Sequence, residues 1–313
     1  MQDFKVVGIK EMYRNHPMPQ IPNFKLVSWD DKLEIESADV YLQNNILGQK
    51  RRGLNKYYQY ILDSNKPFLV VESAVFRRNM IQPPNLMAYH RYSWTSYYRD
   101  DGNYCNENSP SDRWLRIQKE QKIEIKDWRN NGEYVLLIMQ RPGDSSLRKL
   151  MLQYKTYENF LTSIIKDIKK YTNRKIRIRL HPLRQDRQLE IINKLNLSGI
   201  EISTNMHGAG LLEGGCGLYK DFNNAWAVVG FNSNALTESI CEGIPTFSLC
   251  TSSMAWDCSN KDLKDLENPI MFDRNQWLYN LGYCQWREDE IARGDPWFHL
   301  TKLKGKIIND SVV

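Results

Sequence analysis

The sequence has no apolar run near the roughly 18 residues that a membrane-spanning helix requires. Its first residues, Met1–Val7, also lack the long apolar core of a secretory signal peptide. Together these absences predict a protein that spans no membrane and works in the cytoplasm.

Cysteine pairs are absent as well. No two cysteines have the Cys-x-x-Cys spacing typical of zinc sites, and six cysteines in 313 residues are too few for a secreted disulfide framework. We therefore expect reduced thiols, most of them in the core. The six are Cys105, Cys216, Cys241, Cys250, Cys258 and Cys284.

Two catalytic motifs are missing too. Without a Gly-x-x-x-x-Gly-Lys-Ser/Thr loop, ATP-driven phosphoryl transfer of the P-loop type is not expected. Without Gly-x-Ser-x-Gly, the sequence offers no nucleophile elbow of the α/β-hydrolase type.

Length and composition indicate an ordinary globular protein. At about 100–200 residues per domain, 313 residues suggest two domains. The formal net charge of +6 fits an anionic substrate or partner. Nine Trp and seventeen Tyr provide flat amphipathic surface that suits sugars and unstacked bases, although a core rich in aromatic residues would explain them equally well.

The N-terminal part alternates short strands with a helix. Phe4–Ile9 and Asp39–Leu42 are predicted strands, and Leu54–Asp63 has the apolar spacing of a helix. Phe68–Glu72 follows as a buried strand, which completes a βαβ unit. Residues 91–132 are polar and rich in Asn, Asp and Ser, so we expect a loop-heavy segment there.

The second half alternates strands and helices more regularly, which is typical of a doubly wound parallel sheet. In such sheets, ligands bind beyond the carboxyl ends of the strands. The predicted strands are Tyr134–Met139, Lys175–Leu180, Ile200–Ile202, Ala225–Gly230 and Pro245–Leu249, and the predicted helices are Tyr157–Tyr171, Arg184–Leu195 and Asn234–Glu242.

The segment Val228–Thr246 carries the strongest chemical signal. It reads as a strand, a turn of small polar residues, a helix, and then Gly-x-Pro before the next strand. Backbone N–H groups at the start of the helix favour an anion, so a diphosphate would contact Asn232, Ser233 and Asn234. Glu238, one turn further, would accept hydrogen bonds from ribose hydroxyls. An ordinary capped helix is the alternative.

This pattern resembles the nucleotide-sugar half-site of GT-B glycosyltransferases. The resemblance implies two Rossmann-like domains that face each other across a cleft, with a nucleotide-sugar donor bound to the second domain. No Asp-x-Asp stands in a plausible strand-end loop, which argues against the metal-chelating GT-A class.

The strand Lys175–Leu180 ends in His181-Pro182, with Arg179 just before. A His-Pro pair at a strand end resembles the one in capsule-type Kdo transferases, where it lies at the donor phosphate. The resemblance implies that Arg179 and His181 bind the donor and that His181 donates a hydrogen bond to the leaving phosphate. A histidine that merely completes a strand end is the alternative.

The segment Leu137–Leu147 resembles a Gln-x-x-x-Asp-Ser element of the same capsule-type enzymes, which have an acidic residue at the chemistry. The resemblance implies that Asp144 is the catalytic base and that Gln140, Arg141 and Ser145 bind the donor. A simple capping role for Asp144 is an equally good explanation.

The N-terminal half offers a rival base and a set of cations. Glu72 stands at a strand end, directly before a basic turn. Basic residues here could contact phosphates of the acceptor or simply be solvated. These cations are Lys50, Arg51, Arg52, Arg77 and Arg78.

The C-terminal segment Trp277–Leu300 resembles the signature of an uncharacterised glycosyltransferase family of tailed bacteriophages. Glu72–Asn79 and Tyr171–Pro182 match that family too. Arg287–Glu290 is predicted as a short amphipathic helix that braces the first domain, with no catalytic role.

The sequence therefore predicts an α/β GT-B protein with three parts. Residues 1–130 form an acceptor-side Rossmann-like domain, residues 131–285 form the nucleotide-sugar-binding Rossmann-like domain, and residues 286–313 form a C-terminal helix that braces the N-terminal domain. We expect no tightly bound cofactor, with a UDP-sugar as the first choice of donor. Metal dependence and oligomeric state stay open.

The predicted activity is transfer of a hexose or pentose from the nucleotide sugar to a hydroxyl. The first choice of acceptor is a hydroxymethylated base, such as 5-hydroxymethylcytosine, in double-stranded bacteriophage DNA, which would place the enzyme in the host cytoplasm. A capsule or surface-glycan saccharide is the second choice, and a non-catalytic protein that binds nucleotide sugar or DNA is the third.

Overall fold

A computed structural model describes residues 4–12, 21, 23–44, 55–76, 88–203 and 214–302. The chain divides into two compact units. The first comprises Met1–Asn79, Met87–Ile117 and Leu278–Val313, and the second comprises Met80–Leu86 and Gln118–Trp277.

Strands and helices alternate through most of the described chain. The strands are β1 (Val6–Ile9), β2 (Phe24–Val27), β3 (Val40–Asn44), β4 (Phe68–Ser73), β5 (Tyr89–Trp94), β6 (Tyr134–Ile138), β7 (Lys175–Arg179), β8 (Ile200–Ile202), β9 (Ala225–Gly230), β10 (Thr246–Ser248) and β11 (Gln285–Arg287). The helices are α1 (Lys32–Glu36), α2 (Asn55–Asp63), α3 (Asp112–Gln121), α4 (Arg148–Tyr154), α5 (Tyr157–Tyr171), α6 (Gln185–Leu195), α7 (Gly214–Asn223), α8 (Ala235–Cys241), α9 (Asn275–Gly282), α10 (Glu288–Ala292) and α11 (Asp295–Lys302).

The first unit contains a six-stranded sheet in the order β11-β5-β4-β3-β1-β2. Strands β1 to β4 are parallel to one another, and β5 runs antiparallel to both β4 and β11. The first four residues of β4, Phe68–Val71, are all buried, as expected for a parallel strand that is covered on both faces.

Most of residues 91–132 lies outside helices and strands, as predicted, but the end of β5 and the helix α3 lie within this segment. Every residue of β5 is buried although its sequence is largely polar. The Nε of Arg91 donates to the carbonyl of Ser73 at 2.7 Å, and its guanidinium lies 5.5 Å from the ring centre of Tyr97. Partners that are distant in sequence thus allow polar residues to form a buried strand, which hydrophobic periodicity does not reveal.

The C-terminal residues belong to the first sheet through β11, which the sequence did not predict. The predicted helix at Arg287–Glu290 instead starts at Glu288, directly after this strand. The buried Glu290 pairs with Arg113, whose guanidinium lies 3.8 Å from the ring centre of Trp286. This paired and stacked arginine fixes α10 and β11 to α3 within the first unit.

The second unit contains a five-stranded parallel sheet in the order β10-β9-β6-β7-β8. Helix α5 and strand β8 have the bounds that the sequence predicts. Helix α5 is capped by Thr156, whose Oγ1 accepts from the amide of Asn159 at 3.1 Å. Its apolar face, which includes Phe160 and Ile164, packs into a core with inward residues of β6, β7 and β9. The regular alternation in this half is therefore confirmed.

The described part of the chain bears on membrane-spanning helices, cysteine pairing and metal-ligand groups. None of the helices described is long and apolar enough to cross a membrane. The described cysteine side chains are free thiols, and burial raises the pKa of Cys258 to about 12. Among described residues, no group of three or more His, Cys, Asp or Glu side chains is arranged to hold a metal ion.

Candidate functional site

The site candidates of the second unit follow three neighbouring strands. In the sheet, β9 and β7 both flank β6 and run parallel to it. Their carboxyl ends therefore lie at one edge, where ligands of parallel α/β sheets bind. The residues directly beyond this edge are Phe231–Asn234 after β9, Met139–Asp144 after β6, and Leu180–His181 after β7.

Gln140 and Asn232 join two of these loops. The Nε2 of Gln140 donates to the Oδ1 of Asn232 at 2.7 Å, and the backbone amide of Asn232 donates to the Oε1 of Gln140 at 3.1 Å. The Nδ2 of Asn232 also donates to the carbonyl of Ser146 at 2.8 Å. Gln140 is 7% exposed. Both carboxamides hold the loops in place, so the geometry gives them a positioning role.

The turn before α8 is partly exposed from Asn232 to Ala235. The amide of Asn232 is engaged by Gln140, and the amide of Ala235 lies 3.3 Å from the Oγ of Ser233. Asn234 precedes the helix with φ of −64° and forms no side-chain cap. The amides of Ser233 and Asn234 belong to the turn that opens α8, where the dipole of a helix favours an anion. Glu238 lies in the first turn of α8 and is partly exposed.

Helix α8 ends where the sequence predicts. Gly243 has φ of +72°, the left-handed conformation expected of a glycine after a helix. A Cβ atom added at Gly243 would lie 2.0 Å from the carbonyl oxygen of Asp127. The position therefore requires glycine for two reasons, its backbone conformation and the close approach of a neighbouring chain segment.

Asp144 caps the 3₁₀ turn Ser145–Leu147. A capping role was the alternative to catalysis in the sequence-based prediction. Its Oδ1 accepts from the amide of Ser146 at 3.0 Å, and its other oxygen pairs with Arg141. Burial alone would raise the pKa of this carboxyl, but the Ser146 hydrogen bonds and the charge of Arg141 outweigh it and lower the pKa. Asp144 is thus ionised at neutral pH. Ser145, the neighbouring donor-binding candidate, is buried.

His181 is held by its own turn. Its Nδ1 accepts from the amide of Leu183 at 3.1 Å. An unprotonated Nδ1 leaves the proton of a neutral ring on Nε2, so the ring can serve as a hydrogen-bond donor through that atom. The residue is partly exposed beyond the end of β7. This geometry suits the role that the sequence predicts for His181.

Arg179 is the last residue of β7, and its side chain is buried. Its guanidinium pairs with Asp221 of α7, a fully buried carboxylate. The Oγ of Ser203 donates to the same carboxylate at 2.7 Å. This buried cluster ties β7, the end of β8 and α7 together, so the charge of Arg179 is already paired.

The remaining candidates belong to the first unit. Glu72 lies near the carboxyl end of β4 opposite Arg91 of β5, and its Oε1 accepts from the amide of Ser73 at 2.7 Å. The basic candidates lie outside the described residues. They are Lys50, Arg51, Arg52, Arg77 and Arg78.

Sequence reasoning missed the residues that support the site. Gln188 is a polar residue inside α6, yet it is fully buried and binds the His181 turn. Asp221 is the buried partner of Arg179. Only the spacing of Gln188, on the same helical face as Ile191 and Ile192, gave a hint that it points inwards.

No protein-family model and no curated protein sequence matches this chain. Among solved structures, the chain is similar to the β-Kdo 2,4-transferase of KpsC from Thermosulfurimonas dismutans, with a TM-score of 0.58 and 12% identity, over 91% of this chain and 92% of that one. The β-Kdo 2,7-transferase of the same KpsC gives a TM-score of 0.47 and 15% identity, over 90% and 92%. The first similarity confirms the predicted fold class, an α/β architecture with two largely parallel sheets as in GT-B glycosyltransferases.

Proposed function

We propose that this protein is a glycosyltransferase that uses a nucleotide-sugar donor, with a UDP-sugar as the first choice. One observation carries the proposal: the paired carboxamides of Gln140 and Asn232 hold two strand-end loops together beside the partly exposed amides that precede α8. The arrangement supports an anion site at the carboxyl edge of a parallel sheet. The similarity in fold to a Kdo transferase supports the same activity.

The proposed reaction breaks the bond between the anomeric carbon and the phosphate oxygen of the donor. A base removes the proton of the acceptor hydroxyl, whose oxygen forms the new bond to the anomeric carbon. The leaving phosphate takes the electron pair of the broken bond. Its charge is stabilised by the amides of Ser233 and Asn234 and by the Nε2–H of His181.

Asp144 is our first choice of base within the second unit. Its lowered pKa keeps it in the ionised form that can accept a proton, although it also makes the carboxylate a weaker base. The ion pair with Arg141 would have to loosen when the acceptor binds. Glu72 of the first unit remains the rival.

For the acceptor, we now favour a saccharide hydroxyl. The solved structure with the similar fold is named for transfer of a sugar, Kdo. Hydroxymethylated bacteriophage DNA is therefore the second candidate, and the net charge of +6 is the observation that favours it.

Binding to the donor can be tested by thermal shift with UDP, GDP, CMP and dTDP, each alone and linked to sugars. A ligand that binds only the folded state stabilises it by about 2.7 kcal/mol at a hundredfold excess over Kd. We expect at least one nucleotide series to raise the melting temperature, and the free sugars to have no effect. If no nucleotide does so, the proposal fails.

The salt dependence of DNA binding distinguishes the two classes of acceptor. Duplex DNA that contains 5-hydroxymethylcytosine should bind with an affinity that falls steeply between low and high salt if DNA is the acceptor, because bound phosphates release counterions. Incorporation of radiolabelled sugar into oligosaccharides, with no DNA binding at low salt, would support the saccharide acceptor.

A further inference from the structure

Gln188 of α6 is hydrogen-bonded to the turn that carries His181 through both the oxygen and the nitrogen of its carboxamide, and three carbonyls share its two N–H groups. Its Oε1 accepts from the amide of His181 at 2.8 Å. Its Nε2 lies within 3.0 Å of the carbonyl of His181, 2.9 Å of that of Leu183 and 3.1 Å of that of Arg184. The side chain is fully buried. A single carboxamide thus binds the backbone on both sides of Pro182.

These contacts fix the geometry of a hydrogen bond that bears on the tautomer of His181. The donor of that bond is the amide of Leu183, and its acceptor is Nδ1 of the imidazole. Gln188 fixes the residues that carry both atoms, because it binds the main chain of His181 and of Leu183. As long as the two are fixed, a proton on Nδ1 would face the Leu183 N–H, which disfavours that tautomer.

Other contacts within the turn would not replace this support. Arg184 has φ of +60°, a left-handed conformation that is costly for a residue with a side chain. Its carbonyl accepts from the Nε2 of Gln188, and the helix begins at the next residue. The turn is therefore strained where it meets α6, and the buried carboxamide compensates for that strain with hydrogen bonds.

We propose that Gln188 is a positioning residue that keeps His181 in the tautomer with its proton on Nε2, so that the ring donates rather than accepts a hydrogen bond at the sheet edge. The use of that proton, donation to the leaving phosphate, rests on the proposed function. The selection of the tautomer does not, and it can be measured on the protein without any ligand.

The test is long-range ¹H–¹⁵N NMR of the imidazole nitrogens of the full chain, with the pH raised until the His181 signals no longer shift, so that the ring is observed in its neutral form. His181→Gln assigns the signals. In the unmodified chain we expect Nε2 to carry the proton and Nδ1 to give the signal of an unprotonated nitrogen. A proton on Nδ1, or a mixture of both tautomers, would overturn the proposal without the need for any variant.

Gln188→Leu removes every hydrogen bond of the carboxamide at similar volume, and Gln188→Glu keeps the acceptor for the His181 amide but loses the donors. We expect both variants to shift the His181 nitrogens towards averaged tautomers, the leucine variant more strongly. Arg187→Ala, an exposed neighbour on the same helix, is the matched control and should leave the signals unchanged. Unaltered signals in a folded Gln188→Leu variant would show that Gln188 is merely structural.

The role of Gln188 in turnover is measured separately, through kcat. If His181 acts on the leaving group, Gln188→Leu should lower kcat by roughly tenfold to a hundredfold, the cost of a misplaced catalytic group, with little change in the KM of the donor. A tautomer shift in the variant of a chain that transfers no sugar would leave the Gln188 inference intact and refute the proposed function. A variant with the shift and unchanged kcat would refute the link to catalysis.

Discussion

Gln140 and Asn232 bind one another twice, side chain to side chain at 2.7 Å and side chain to backbone at 3.1 Å, from the ends of two neighbouring parallel strands. Neither residue type is apolar; Gln140 is buried, and Asn232 is partly exposed. This pair therefore holds the loop that contains Asp144 against the turn that opens α8.

This pair should be energetically coupled. Gln140→Ala removes both hydrogen bonds of the pair, whereas Asn232→Ala removes only the one to its Oδ1, because the backbone amide of residue 232 can still donate to Gln140. The two side chains share one hydrogen bond, so the double variant should lose less free energy of unfolding than the sum of the single variants. At about 1 kcal/mol per net hydrogen bond, we expect a coupling energy of about 1 kcal/mol. Urea unfolding of the four proteins measures it, and additive losses would mean that the two loops are held independently.

Asp144→Asn should abolish turnover and spare donor binding. The amide oxygen of asparagine can still accept from the Ser146 amide, so the cap survives, while the ability to take a proton is lost. Because the pKa of Asp144 in the free protein is lowered from its ordinary value of about 3.9, the acidic limb of the pH–kcat/KM profile, which reports the free enzyme, should lie below that value. Turnover assays and donor titrations on the variant check both points.

Glu72→Gln serves as the parallel variant in the other unit. If Asp144→Asn retains turnover while Glu72→Gln loses it, Asp144 is only a cap and Glu72 is the base. If only Asp144→Asn loses turnover, Asp144 is the base.

Glu238→Ala should weaken donor binding by about 1–3 kcal/mol, the contribution of hydrogen bonds to a charged group. The residue lies in the first turn of α8 and is partly exposed. Isothermal titration with the nucleotide identified by thermal shift measures the loss. Glu190→Ala, an exposed carboxylate on α6, is the control, and equal affinities in all three proteins would remove Glu238 from the donor site.

Gly243→Ala should destabilise the second unit more than Gly199→Ala. Both glycines have φ of +72°, so both substitutions incur the cost of a left-handed alanine, about 1–2 kcal/mol. A Cβ at Gly199 meets no atom within 4 Å, whereas one at Gly243 lies 2.0 Å from the carbonyl oxygen of Asp127. Thermal unfolding of the two variants isolates the steric cost, and equal losses would contradict the close approach to Asp127.

The sequence predicts the second unit well and the first one less well, for a physical reason. In the second unit the strands are apolar runs and the helices have apolar faces, as in α5, so periodicity alone locates them. Strand β5 is built from His90, Arg91 and Ser93, whose burial depends on partners elsewhere in the chain. Strand β11 is only three residues long and exists because it pairs with β5.

The same distinction holds within the site. The bounds of α8 and the end of β7 follow from local sequence and lie within one residue of the prediction. The pairing of Arg179 with Asp221 and the binding of the His181 turn by Gln188 are contacts between distant residues. The sequence around Arg179 and around Gln188 does not specify the partner of either side chain.

The central claim is that the backbone amides of Ser233 and Asn234 hold the leaving phosphate, and amide NMR tests it most directly. The ¹⁵N-labelled chain is titrated with the nucleoside diphosphate that stabilises it, and with the nucleoside alone as control. We predict that the amide protons of Ser233 and Asn234 show large downfield shifts with the diphosphate and none with the nucleoside. A diphosphate that binds without moving these two signals would contradict the account.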